Sequence, residues 1–133
     1  MFHGQEGLDG ETLMLEEYFD DGHLSVKRAY TGLIPHGTWE FFYSDGQLER
    51  TENYKDGELH GVYEICHRNG QISVRKNFIN GKAHGPVETY YKSGQLEFRY
   101  TYKNGKLDGV DEHFNEDGTL RERQVYKNGE LIE

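Results

Sequence analysis

The sequence predicts an all-β fold: a single-layer, elongated antiparallel sheet of tandem β-hairpins built on a 24-residue repeat. Three observations predict it. Glycines recur at Gly22, Gly46, Gly70, Gly94 and Gly118, at Gly37, Gly61, Gly85 and Gly109, and at Gly57, Gly81, Gly105 and Gly129, so that 13 of the 17 glycines lie on three columns of one period. Apolar residues keep the same period at Tyr18, Phe42, Cys66, Tyr90 and Phe114, at Leu24, Leu48, Ile72, Leu96 and Leu120, and at Tyr30, Tyr54, Phe78, Tyr102 and Tyr126. No stretch holds an apolar 3.6-residue period, while Tyr, Phe, Val and Thr fill the intervals as pleated surfaces prefer.

Taken in order, residues 1–15, with Gly4, Gly7 and Gly10, fit the repeat poorly and are expected to form an irregular N-terminal cap. The repeats run from about 16 to 133, and the whole chain, 1–133, is one domain. Each unit holds a turn signal between its first two apolar columns (Asp21-Gly22, Asp45-Gly46, Asn69-Gly70, Ser93-Gly94, Asp117-Gly118), where Gly supplies the positive φ of a hairpin loop. A second turn follows the third column at Asp56-Gly57, Asn80-Gly81, Asn104-Gly105 and Asn128-Gly129. In the first connection Gly32 sits one place early and Pro35 stands where Leu59, Leu107 and Leu131 stand later, so this linker is expected to bend differently. The last strand, around Leu120 to Tyr126, is expected to be an edge that Arg121, Glu122 and Arg123 protect from pairing with another chain. At ~4.8 Å between strands each repeat advances the sheet by roughly 10 Å.

Register is the open local choice. A two-residue loop at Asp45-Gly46 places Glu16, Glu64, Glu88 and Glu112 opposite Lys27, Arg75, Arg99 and Arg123, with Glu40 opposite Thr51. A three-residue loop with Gly46 as a bulge places Phe42 opposite Leu48 and all three apolar columns on one face. A one-residue slip flips every side chain, so the two are expected to exclude each other. Burial of three apolar columns outweighs exposed ion pairs worth at most ~1 kcal/mol each, which favours the bulged loop.

The unit, seen as YYKSGQLEFRYTYKNGKLDGVDEHF, resembles the MORN-repeat variant common in bacteria: an aromatic residue, a turn Gly, Leu two later, another aromatic residue, Asn/Asp-Gly, then Gly and a further aromatic strand. The resemblance covers about Glu16 to Leu131. It implies an antitoxin or immunity protein of a toxin system, with the membrane-associated or structural scaffold of eukaryotic MORN proteins as the alternative. Periodicity by itself implies a repeat ribbon, on which every surface feature recurs.

Composition and charge narrow the partners. The N-terminus MFHGQEGLDG lacks a basic region followed by an apolar run, and no later stretch is long enough to span a bilayer, so a cytoplasmic location is expected. Twenty-four acids against 15 bases give a net charge of −9, which disfavours nucleic acid and anionic lipid and favours a protein with a basic surface. A nucleic-acid mimic is disfavoured too, because the ~10 Å repeat step does not match the ~3.4 Å phosphate spacing of one strand. A homodimer through the C-terminal edge stays open. The lone Cys66 occupies an aromatic column and reads as a buried packing residue.

Nothing in the repeat favours catalysis. His36, His60 and His84 each precede a Gly and give way to Asp108; at ~10 Å per step they cannot share an ion whose ligands lie within ~2.1 Å, so turn packing is their expected role. Glu40 and Glu64 recur in like environments, whereas acid/base work needs two carboxylates in different ones. Ser25, Ser44, Ser73 and Ser93 have no fixed His partner. No catalytic residue, metal ligand or cofactor is therefore assigned.

Broken symmetry points to binding. Positions flanking the first apolar column run Trp39, Phe41, Tyr43, then Tyr63, Ile65, His67, then Val87, Thr89, Tyr91, then Asp111, His113, Asn115, losing apolar character toward the C-terminus. Under the bulged register Glu49 and Glu97 join this face. Trp39, Phe41, Tyr43, Glu49, Tyr63, Tyr91 and Glu97 are therefore the expected partner-binding residues, aromatic anchors with acidic steering toward a basic toxin surface. The rings could equally serve to cover a second core face.

Overall fold

The computed structural model describes residues 2–5, as backbone, and residues 11–133. Edge strand β1 (Phe2–Gln5) pairs with β2 (Thr12–Tyr18), which turns into β3 (Leu24–Thr31). The same hairpin then recurs as β5 (Gly37–Phe42) with β6 (Leu48–Lys55), β8 (Gly61–Cys66) with β9 (Ile72–Ile79), β11 (Gly85–Tyr90) with β12 (Leu96–Lys103), and β14 (Gly109–Phe114) with β15 (Leu120–Lys127). Short strands β4 (Ile34–Pro35), β7 (Glu58–Leu59), β10 (Lys82–Ala83), β13 (Lys106–Leu107) and β16 (Glu130–Leu131) fold back onto the ends of β3, β6, β9, β12 and β15. All 16 strands join one antiparallel sheet whose long strands lie in chain order, and the described residues contain no helix. Of the segment expected as a cap, Gly7 and Gly10 lie outside the described residues, while β2 already repeats the later hairpins from Leu13, paired with Tyr30 as Gly37 is with Tyr54.

Each hairpin loop has three residues. Phe19 N donates to His23 O and Gly22 N to Phe19 O, with Gly22 at φ 94°, and the same pair of bonds recurs around Gly46, Gly70, Gly94 and Gly118. A side-chain oxygen of Asp21, Asp45, Asn69, Ser93 or Asp117 accepts from the backbone N–H two residues on, which fixes the turn. The second turns are two-residue loops in which Asp56, Asn80, Asn104 and Asn128 take φ near 50° and the following Gly is also positive, the geometry that Asn-Gly and Asp-Gly favour. At the first connection Gly32 has φ 60° and Leu33 is not left-handed, so the turn type changes, as Gly32's early position leads one to expect. Its register does not change, since Thr31 still faces Ile34 as Lys55 faces Glu58.

The two registers expected to exclude each other coexist. In β5 and β6, Glu40 faces Thr51 and Phe41 faces Arg50, yet Phe42 faces Leu48, because Glu49 is an extra residue in a β-bulge. The bulge recurs between Glu17 and Tyr18, Ile65 and Cys66, Thr89 and Tyr90, and His113 and Phe114. It flips side-chain parity near the start of the second strand. The expectation that all three apolar columns share a face is therefore corrected: the Phe42 and Leu48 columns lie with the Glu40 column, while the Tyr54 column lies on the opposite face with Trp39 and Phe41.

One face thus carries a charged row running across the sheet, Glu16, Lys27, Glu40, Thr51, Glu64, Arg75, Glu88, Arg99, Glu112, Arg123, each residue opposite the next. Arg75 Nε donates to Glu64 at 2.8 Å and Arg99 to Glu88 at 3.0 Å. Only Thr51 interrupts the alternation. The other face is aromatic. Tyr30, Tyr54, Phe78, Tyr102 and Tyr126 lie opposite Leu13, Gly37, Gly61, Gly85 and Gly109, and the missing side chains of the glycines leave room for rings to lie across the sheet. A single layer buries little: among the described residues Ala29 and Val87 are the buried hydrophobic ones, and Cys66, expected to be buried, is half-buried. Partial burial, with the nearby Glu64 charge, still pushes the Cys66 thiol pKa up.

Neighbouring hairpins are hooked together by side chains. Tyr43 Oη donates to Cys66 O at 2.7 Å, Tyr91 Oη to Phe114 O at 2.7 Å, and the equivalent His67 Nε2 lies 2.9 Å from Tyr90 O. Two of the histidines before the glycines pack turns as expected, His36 Nδ1 accepting from Asp56 N and His60 Nδ1 from Asn80 N at 3.2 Å, and Asp108 Oδ1 accepts from Asn128 N at the same distance.

Candidate functional site

The aromatic face is the surface on which the expected binding residues meet. Trp39 and Phe41 reach it from β5 and Tyr63 from β8, because residues two apart on a strand share a face. Trp39 sits between two tyrosines, with ring centroids 5.4 Å from Tyr30 and 4.7 Å from Tyr54. Its Nε1–H donates to Ala29 O at 2.8 Å, where β3 leaves β5 to pair with β4. Arg28 lies over the same ring at 5.5 Å and is held by Glu17 at 2.6 Å. Arg50 covers Phe41 at 4.1 Å, and its Nε lies 3.1 Å from Glu52 Oε2, close enough for an ion pair though not aligned as a hydrogen bond. Lys76 Nζ is 5.3 Å from the Tyr63 ring and 5.9 Å from that of Phe78.

The other expected residues are distributed differently. Glu97 is the bulge residue of β12 and accepts from Thr89 Oγ1 at 3.4 Å, which brings it onto the aromatic face. Glu49 holds the corresponding bulge in β6 and is half-buried. Tyr43 and Tyr91 stand at the loop ends of β5 and β11, where their hydroxyls form the hooks between hairpins, and Arg68 covers the Tyr43 ring at 4.7 Å.

Sequence reading missed the second-strand residues of this face. The row Val26, Arg28, then Arg50, Glu52, then Val74, Lys76, then Phe98, Tyr100, then Glu122, Gln124 is most apolar in the fourth hairpin, unlike the steady fall from Trp39 and Phe41 to Asp111 and His113. The expected loss of aromatic character toward the C-terminus therefore holds for first strands only. Phe98, Tyr100, Tyr102, Leu107, Asp111 and His113 line a groove of about 300 Å³ between β12 and β14. The Phe98 and His113 rings meet edge-on at 4.5 Å, and Tyr100 and Tyr102 at 5.8 Å. His113 Nε2 lies 3.0 Å from Asp111 Oδ1. The signal was the column Arg28, Glu52, Lys76, Tyr100, Gln124, charged until it turns aromatic.

Titration behaviour follows the packing. Burial, then the hydrogen bond to Glu52 at 2.8 Å, pushes the Tyr54 hydroxyl pKa up to about 12. Burial also raises that of Tyr100, helped by Tyr102 and the Asp111 carboxylate. Among the described residues no group of three or more His, Cys, Asp or Glu is placed to hold a metal ion. No helix among them is long and apolar enough to cross a membrane.

Hairpins repeated in a fixed register, with a charged row crossing one face and rings lining the other, define a tandem β-hairpin repeat protein. In this the chain is similar to proteins with MORN repeats: the family model for the MORN repeat variant matches residues 35–56, 83–104 and 107–128. Residues 59–80, between the first two matches, hold the same strand pairing at the same 24-residue offset. No curated protein matches the chain.

Proposed function

We propose that this protein binds another protein through its aromatic face, and more specifically that it is a cytoplasmic immunity or antitoxin factor that neutralises a cognate toxin by covering its working surface. The carrying observation is the row of half-exposed rings held in fixed orientation by backbone pairing and covering cations. Such rings lose little freedom on docking, and aromatic residues dominate interface energetics. Twenty-four acids against 15 bases favour a basic partner over nucleic acid or anionic lipid. Repetition of one environment along the sheet supports binding over catalysis, which needs a unique set of groups. The toxin reading adds to this only what the resemblance of the unit to the MORN-repeat variant implies.

The test is capture from the native host with the immobilised chain, followed by Tyr63→Ala combined with Glu97→Ala. Loss of a specific captured protein by about 2 kcal/mol or more, with circular dichroism unchanged, supports the face as the interface. Rescue of growth when the chain is co-expressed with that protein supports toxin neutralisation. Self-assembly or liposome co-sedimentation without any captured protein would instead favour the scaffold reading.

A further inference from the structure

The repeat supplies its own internal control for one position on the aromatic face. In the earlier hairpins the rings are covered by cations of the chain itself: Arg28 over Trp39, Arg50 over Phe41, and Lys76 over Tyr63 and Phe78. Twenty-four residues after Lys76 the chain places Tyr100, and twenty-four after Val74 it places Phe98. A ring thus stands where a covering cation stood one repeat earlier, beside a second ring in place of Val74, and among the described residues no Lys or Arg lies over those of Phe98, Tyr100 and Tyr102. At the same place a carboxylate arrives, since Asp111 follows Trp39, Tyr63 and Val87 in its column. Its side chain is only 13% exposed, and His113 engages it through Oδ1.

We propose that this groove receives an arginine side chain of a partner polypeptide, with the guanidinium stacked on Tyr100 and Phe98 and paired with Asp111. The inference rests on the protein-binding reading and names the chemistry of the contact. A guanidinium satisfies both features at once: its flat face is attracted to aromatic quadrupoles, and its edge donates to a carboxylate. It is also less strongly hydrated than an ammonium, so it enters a partly dry groove at lower cost. The chain's own use of Arg28 and Arg50, each tied to a carboxylate at 2.6 and 3.1 Å while lying over a ring, is the same arrangement made internally. The groove volume of about 300 Å³ accommodates such a side chain.

The experiment titrates the full chain with N-acetyl-arginine amide, and in parallel with N-acetyl-citrulline amide, its uncharged isostere, following aromatic carbon–proton NMR signals. The arginine probe is expected to shift Phe98, Tyr100 and Tyr102 saturably and to bind at least tenfold more tightly than the citrulline probe. Asp111→Asn should weaken it at least tenfold. Tyr100→Lys, which restores the cation that Lys76 supplies one repeat earlier, should abolish binding while the Trp39 signals stay in place. Equal binding of the two probes, a response spread over Trp39 and Phe41, or no saturable shift overturns the proposal. Should Asp111→Asn fail to fold, undiminished binding to Tyr100→Lys overturns it alone. An arginine probe that fails while a captured partner still depends on Tyr63 and Glu97 overturns the groove and leaves the protein-binding reading standing; a probe that binds as expected while nothing is captured does the reverse.

Discussion

Trp39 and Tyr100 stand on the same face of the same sheet and are treated in opposite ways. Trp39 is enclosed by Tyr30 and Tyr54, tied to Ala29 O and covered by Arg28, so the ring is part of the structure. Tyr100 is flanked by aromatic neighbours and a carboxylate, with the cation of the preceding repeat replaced by the tyrosine itself. In a repeat protein the shared column states what the fold requires. Departures from it mark positions on which packing alone makes no uniform demand.

The largest effect that can break this comparison is on stability. Trp39→Ala should lower unfolding free energy by about 3 kcal/mol, near the low end for loss of a large ring because Trp39 is half-buried, whereas Tyr100→Ala should cost about 1 kcal/mol. Urea midpoints at constant m-value check both, and equal losses would remove the distinction between a structural and an open ring. A smaller effect appears in alkali. The Tyr54 hydroxyl titrates near 12 against an ordinary 10.0, so the neutral phenol is favoured by folding; that contribution is complete below pH 10 and lost as pH rises toward 12. Thermal melts from pH 9 to 12 should fall more steeply for the wild type than for Tyr54→Phe, and parallel slopes would contradict the raised pKa that burial and the Glu52 hydrogen bond impose. The smallest effect concerns the charged face, where Thr51→Arg fills the single gap between Glu40 and Glu64. It should stabilise by up to ~1 kcal/mol in low salt and by less in 1 M salt, measured by the same denaturation.

Much of the fold is legible in the residues because each hairpin repeats its turn chemistry. Asp45-Gly46 and Asn80-Gly81 specify two different loops, and the structure has a three-residue loop at the first and a two-residue loop at the second. What the residues did not disclose is the bulge, whose positions are filled by Ser25, Glu49, Ser73, Glu97 and Arg121, side chains that suit any exposed strand. Strict alternation was therefore carried through it, which put the Tyr54 column on the wrong face and left Phe98 and Tyr100 off the aromatic face. Trp39, Phe41 and Tyr63 were rightly placed on one face because they precede the bulge, where parity still holds.

The hooks from Tyr43, His67 and Tyr91 to the next hairpin carry a consequence for how such a chain can change length. Each reaches a backbone carbonyl 23 positions ahead, so its acceptor demands no particular side chain. Excising residues 67–90 would splice Cys66 to Tyr91 and leave both flanking hooks with their original acceptors. Growth or shrinkage by whole modules is therefore tolerated, whereas gaining or losing a few residues within one breaks a link on each side. A ribbon built this way inherits a ready-made seam wherever one whole hairpin is added or removed.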